Sequence, residues 1–283
     1  MNEKFKIIDT GSPYGACYPY TPTPSNGKDT RVEIYPPSRL AEGIAFAKEH
    51  GIRAVRITGN PSTAFSLDFS TFESFPEMEV LEIWKNFKIS EVKGAEALYG
   101  TSLRALRLFE NAEFELDFSR FKNLEALEAT QNKKMKFNRL PPTLRCAKIS
   151  KLSHENLAIF RDTPKLERLE LNFSKVTSLE GIKGCGELEH LSFERCRLLN
   201  SAAMQGVRLG SLERLDARFN VENLKFLANF PNLREFYFKY VADGDLTPIL
   251  EGEIRCCGFE SRGHYSHTWN KIQDLLKVKF SGE

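Results

Sequence analysis

Charge of one sign is what this sequence most lacks: 40 lysines and arginines against 38 aspartates and glutamates leave a formal net charge of +2 over 283 residues. Proteins that hold nucleic acid or anionic membrane by electrostatics usually carry a one-sided excess, so neither is an expected partner. Long apolar runs are also missing. No stretch approaches the roughly 18 apolar residues needed to cross a bilayer, and the opening MNEKFKIIDTGSPYG interrupts its short cluster at residues 5–8 with Lys6 and ends it with Asp9, unlike the apolar core of a secretion signal. The six cysteines (Cys17, Cys146, Cys185, Cys196, Cys256 and Cys257) are scattered, which fits reduced thiols in a cytoplasm better than a disulfide framework. The triplet Asn172-Phe173-Ser174 is too common by chance to argue for secretion. There is no glycine loop of the phosphate-cradling kind and no carboxylate pair that stands out from surface charge, so no cofactor and no enzymatic activity are expected.

What the chain does have is repetition. A spacing of apolar, two residues, apolar, one residue, apolar returns nine times. The copies are Ile52-Val55-Ile57, Met78-Leu81-Ile83, Leu103-Leu106-Leu108, Leu124-Leu127-Ala129, Leu144-Ala147-Ile149, Leu166-Leu169-Leu171, Leu188-Leu191-Phe193, Leu212-Leu215-Ala217 and Leu233-Phe236-Phe238. Asparagine stands three places after the last apolar residue at Asn60, Asn86, Asn111, Asn132 and Asn220, and Cys196 takes that place in the seventh copy. The alternation at the end of each copy turns two side chains to one face of a short strand, and the asparagine amide is suited to bonding the turning backbone and neighbouring coils. One copy cannot bury such a face, but a stack of copies can.

These residues resemble the leucine-rich-repeat family, whose unit is Leu-x-x-Leu-x-Leu-x-x-Asn/Cys. The resemblance implies an α/β solenoid with a curved parallel sheet of about nine repeats, capped at both ends. It divides the chain into an N-terminal cap at 1–51, repeats at 52–241 and a C-terminal cap at 242–283. The segment VTSLEGIKGCGELEHLSF is similar to the short internalin-like bacterial type, and NRLPPTLRCAKIS to the proline-bearing type of bacterial effectors; both point to a bacterial source. Between the repeats, Val176, Leu179, Ile182 and Cys185, and later Val221, Leu224, Leu227 and Phe230, recur every third place and predict short turns or 3₁₀ pieces. The related segments at 65–70 (FSLDFS) and 114–119 (FELDFS) predict an extended outer wall. In the N-terminal part, a Pro/Gly/Tyr-rich loop at 11–26 precedes a strand at 32–35 and a helix at 38–50; a final helix is expected over 266–278.

The register also predicts columns of side chains on the concave face. The middle column reads Arg56, Glu82, Arg107, Glu128, Lys148, Glu170, Ser192, Asp216 and Tyr237, alternating in sign through its first six places, which predicts an exposed ladder of cross-strand pairs. The column at the strand starts runs from small or apolar residues (Ala54, Val80, Ala105, Ala126, Cys146) to Arg168, His190, Arg214 and Glu235, suggesting a flat and a basic subsite. The columns at the strand ends hold Trp84, Phe109, Phe173, Phe219 and Tyr240, among charged residues that include Arg195 and Arg218. Aromatic and arginine side chains are common interface anchors, so Trp84, Phe109, Arg168, Phe173, His190, Arg195, Arg214, Arg218, Phe219, Tyr237 and Tyr240 are the candidate partner-binding residues.

The sequence therefore reads as a cytoplasmic, non-enzymatic module binding a folded protein on its concave face, in the manner of an immunity or inhibitor protein. Two other readings stand beside it. One is a metal-binding or enzymatic protein built on Cys256, Cys257, His264 and His267, although this set lacks the C-x-x-C knuckle of most structural zinc sites. The other is a secreted effector.

Overall fold

The computed structural model describes residues 5–9, 30–84, 87–108, 114–197 and 199–281. The chain forms two compact units, residues 1–147 and 148–283. That division falls inside the repeat array, not at the edge of either cap.

In the first unit the strand Lys6–Asp9 pairs antiparallel with Thr30–Ile34, and from there the sheet is parallel. Ala54–Ile57, Val80–Ile83, Ala105–Leu108 and Ala126–Thr130 succeed one another in direct register, Val55 beside Leu81, Leu81 beside Leu106, Leu106 beside Leu127. These are the repeat positions read from the sequence. Their inward side chains are almost completely buried, from Val55 and Ile57 through Leu127 and Ala129. The helix Leu40–Glu49 buries Leu40, Ile44 and Ala47. It matches the expected helix, except that the first turn, Pro37–Arg39, is 3₁₀. The predicted loop at 11–26 lies outside the described residues.

The outer side of this unit is partly extended. Ala64–Asp68 pairs in parallel with Lys88–Lys93, and Leu116–Asp117 with Met135–Lys136. The two similar segments stop being extended at their aspartates, short of the expected length. The Asp68 carboxylate accepts from the Ser70 N–H at 3.0 Å and opens a 3₁₀ turn, and Asp117 does the same for Ser119 at 3.1 Å. The Asp-Phe-Ser sequence is thus a cap signal that the apolar alternation conceals. Phe69 and Phe118, just after each cap, are fully buried.

Strand Cys146–Ser150 straddles the boundary. Within the second unit Arg168–Asn172, His190–Glu194, Arg214–Val221, Glu235–Val241 and Cys256–Gly258 are parallel and in register. The expected 3₁₀ pieces appear as Ala158–Phe160, Ile182–Gly184 and Lys225–Asn229, with one helical turn at Ser201–Gln205. The Cys256-Cys257-Gly258 sequence is the last strand. The final helix runs Trp269–Phe280, later than expected, because the Thr268 hydroxyl accepts from the Lys271 N–H and sets the start there. It buries Ile272 and Leu276.

Asn60 accepts from Ser62 N–H and Asn132 from Lys134 and Met135 N–H, each inside its own turn, while Asn86 and Asn111 lie outside the described residues. In the same place of other coils the bond runs between coils: the buried Cys196 thiol donates to the Leu171 carbonyl at 3.3 Å, and the Ser174 hydroxyl accepts from the Leu152 N–H at 3.2 Å.

Gly181 separates two outer coils at φ +107°, and a Cβ there would collide with the Leu157 carbonyl. Gly210 has open space around its Cα. Gly181→Ala should therefore lose about 1–3 kcal/mol of stability in urea denaturation, whereas Gly210→Ala should be neutral within about 1 kcal/mol.

Candidate interaction surface

The face of the first unit is consumed by its own charges. Glu82 accepts from Arg31 at 2.5 Å, Arg56 at 2.8 Å and Arg107 at 3.3 Å, and Arg107 reaches Glu128 at 2.8 Å. The alternation read from the sequence is present, but its exposure is not: Glu82 is 0% and Arg31 1% accessible. Exposed pairs of this kind contribute about 0–1 kcal/mol; removing one partner of a buried pair costs about 3–5 kcal/mol because it strands the other charge. Burial pushes the Glu82 pKa up, and the three arginines outweigh it, holding the carboxyl below its ordinary value. Burial also lowers the pKa of Arg31, so part of the attraction is offset by desolvation. A second ladder, which the spacing did not predict, lies on the residues just before the strands, three places ahead of the first: Arg53 to Glu79 at 2.8 Å, Glu79 to Arg104 at 3.7 Å, Arg104 to Glu125 at 2.8 Å.

The expected flat subsite is not a surface. Ala54, Val80, Ala105, Ala126 and Cys146 form one buried cluster, 8% accessible at most. With strands about 4.8 Å apart, side chains in register close against one another, and small ones leave no opening. Trp84 remains 37% exposed, with the Arg56 guanidinium 4.8 Å from its ring centre. Phe109 lies outside the described residues.

The second unit treats its face differently. Arg168, His190, Arg214, Glu235 and Cys256 stand side by side on successive strands. Arg168 pairs with Glu170 at 3.5 Å and Arg214 with Glu235 at 3.0 Å. Between the two arginines, His190 has its pKa pushed down to about 3 by burial, then by Arg168 and Arg214. Arg214 also lies 5.0 Å from the Tyr237 ring centre, and the Tyr237 hydroxyl reaches Glu235 at 3.4 Å and Cys256 Sγ at 3.5 Å. Gly258 makes room for that ring, since a Cβ there would come within 2.9 Å of it.

At the strand ends, three of the described residues adopt positive φ without being glycine: Lys151 at 60°, Phe173 at 54° and Arg195 at 55°. Each stands two places after the last inward residue of its repeat. The Lys151 N–H donates to the Asn172 carbonyl and the Phe173 N–H to the Glu194 carbonyl, both at 2.8 Å. The left-handed turn sends the next residue inward, so Leu152, Ser174 and Cys196 are buried at the place where Asn60 and Asn220 are exposed. It leaves Phe173 49% exposed, with the Arg195 guanidinium 5.0 Å from its ring centre. Such a conformation costs a non-glycine residue about 1–3 kcal/mol. Lys151 was not a candidate from sequence; the signal available was Ser174 and Cys196 in the asparagine place.

Phe219 occupies the same place in its repeat and goes the other way. The long strand Arg214–Val221 stays extended, with a register shift between Ala217 and Asn220. Phe219 is therefore turned into the core against Phe193, ring centres 6.1 Å apart, and is 6% accessible. It is withdrawn from the candidate surface. Arg218 is 65% exposed and paired with the buried Asp216 at 3.1 Å. Tyr240 is half-buried against His264 and Tyr265.

The four residues of the Cys/His reading do not meet. Cys256 lies beside Tyr237, and Cys257 is buried with Gln273 donating to its carbonyl. The His264 ring is 3.1 Å from the Val241 carbonyl, and His267 contacts Ser266. Among the described residues no three His, Cys, Asp or Glu side chains are placed to hold a metal ion.

Two pH effects are expected, and they set in at different pH. His190 is neutral in both states above its ordinary value of 6.5; below it the unfolded chain takes up a proton that the folded chain refuses. Stability should fall as pH drops from 6.5 toward 3, and His190→Gln should flatten that slope in denaturant titrations. Glu82 stabilises fully above its ordinary 4.5, losing that contribution only as pH falls through its lower folded value. Glu82→Gln should cost about 3–5 kcal/mol at pH 7, read by urea denaturation.

No family model matches the chain, and no curated protein matches it in sequence. Solved structures do match. An internalin (inlF) of Listeria monocytogenes aligns over 77% of this chain and 71% of its own at 14% identity, with a TM-score of 0.54. Internalin C2 (inlC2) of the same organism aligns over 81% of this chain and 99% of its own at 13% identity, with a TM-score of 0.50. At such identities the likeness is one of fold, and with the repeat register and the parallel strands it gives the chain the leucine-rich-repeat fold.

Proposed function

We propose that the chain is a non-enzymatic protein-binding module that engages a folded partner through the strand face of its second unit. The observation that carries this is the contrast in how the two faces use their side chains. In the first unit the charged column is buried and mutually paired around Glu82. In the second, Phe173 is 49% exposed and the Arg214 and Arg218 side chains 41% and 65% exposed. A rigid sheet that presents aromatic and guanidinium groups to solvent has the composition of an interface centre.

The finer reading is a cytoplasmic, bacterial immunity- or inhibitor-type protein, supported by the scattered thiols and the internalin-like repeats. Cys185, Cys196, Cys256 and Cys257 are all unpaired as disulfides. No helix among the described residues is long and apolar enough to cross a membrane.

The test is tagged capture with cross-linking from the native cell, comparing the parent with an Arg168→Gln, Arg214→Gln, Tyr237→Ala variant whose circular dichroism and melting match it. A stoichiometric protein partner, reduced at least about tenfold in the variant, is the expected outcome; a loss of about 1.4 kcal/mol in binding is enough to produce it. A partner retained by this variant and lost with Trp84→Ala would move the contact to the first unit.

A further inference from the structure

We infer that Lys151, Phe173 and Arg195 form a dedicated contact row on the second unit, shaped to receive an acidic segment of the protein partner. This rests on the reading of the second unit's face as a binding face and adds to it a location and a chemistry.

Backbone conformation singles the row out. All three residues hold φ between 54° and 60°, a region that glycine enters freely and other residues do not. The turn itself has a structural use, since it sends Leu152, Ser174 and Cys196 inward. Glycine would make that turn as well. Yet three successive coils carry a lysine, a phenylalanine and an arginine there, and all three side chains are exposed, Phe173 at 49%. Strain retained where glycine would relieve it points to a use for the side chains themselves.

Side-chain chemistry gives the row its preference. The backbone hydrogen bonds from Lys151 to Asn172 and from Phe173 to Glu194 lock the row to the sheet, one residue per strand, at a spacing of about 4.8 Å. Arg195 lies 5.0 Å from the Phe173 ring centre and makes no ion pair among the described residues. A guanidinium held over an aromatic ring keeps its outer edge open for a carboxylate. Lys175 and Arg197 are exposed close by in sequence, with Glu194 as the acidic neighbour. The row therefore presents cations around one aromatic anchor.

The surrounding face decides between acidic ligands. On that face Glu170, Asp216 and Glu235 are each paired with an arginine, and the exposed Glu194 stands beside the row. A nucleic-acid strand carries a phosphate at every nucleotide and would meet Glu194 as well as the cations. A protein segment can place carboxylates opposite the row and a neutral residue opposite Glu194, so an acidic protein segment is the occupant that fits.

The test uses the full chain, a fluorescein-labelled oligoglutamate peptide and a labelled oligothymidylate, read by fluorescence anisotropy at low salt. The decisive variant is Lys151→Gly, Phe173→Gly, Arg195→Gly, with Arg168→Gln, Arg214→Gln as a second arm. The parent should bind oligoglutamate in preference to oligothymidylate, and the glycine variant should lose at least about tenfold in affinity with a melting temperature no lower than the parent's. No binding of oligoglutamate, a preference for oligothymidylate, or unchanged binding in the glycine variant would each overturn the inference. So would a clearly lower melting temperature in that variant, which would assign the three side chains to the fold. Loss in the arginine variant alone leaves the binding face standing and removes only the row; loss in neither variant removes both.

Discussion

Each coil brings two inward side chains to its strand, and neither can be covered by the coil that carries it. Leu81 is buried because Val55 and Leu106 stand beside it in register, and Leu191 because Leu169 and Leu215 do. Everything else in the molecule works around that dependence. The ends have to be closed by something other than a repeat, which the antiparallel Lys6–Asp9 strand with the helix Leu40–Glu49 and the strand Cys256–Gly258 with the helix Trp269–Phe280 do. The outer coils are free to differ, so one is extended and the next a 3₁₀ turn, provided the strand returns in phase.

The same register that buries the inward residues lines up the outward ones, and identical geometry has opposite results in the two units. Around Glu82 the column alternates in sign, so each charge finds its counterion on the next strand and water is excluded. In the second unit the place of a repeating acid is interrupted by Ser192, and the column beside it sets a histidine between two arginines. There Arg214 pairs with Glu235 and Arg218 with Asp216 while both arginines keep much of their side-chain surface in water, 41% and 65%. A face that satisfies itself contributes stability; one that does not is open to a partner.

Local backbone geometry then decides which residues reach that open face. Phe173 and Phe219 occupy the same place in two repeats, one at φ 54° and half-exposed, the other in extended backbone and buried. Nothing in the identity of the phenylalanine chooses between them. The difference lies in the residue next along the chain: Ser174 is small enough to turn inward and bond the Asn172 carbonyl and Leu152 N–H, whereas Asn220 stays outside and Val221 continues the alternation.

By itself the sequence determined the strand positions, their parallel order within each unit, the two inward residues of each coil and the alternation of charge along the middle column. Those come from spacing, and spacing is local: a period-two strand inside a repeating unit leaves one consistent way to bury its apolar face. The aspartate caps at Asp68 and Asp117 were legible in principle but hidden by the apolar pattern on either side. Only the tertiary structure decided the depth of each column, closing Ala54 to Cys146 into the core and burying Glu82 and Arg31 while leaving Phe173 and Arg218 outside. Burial is the sum of what every neighbouring strand places around a residue, and that sum does not exist until the coils are stacked.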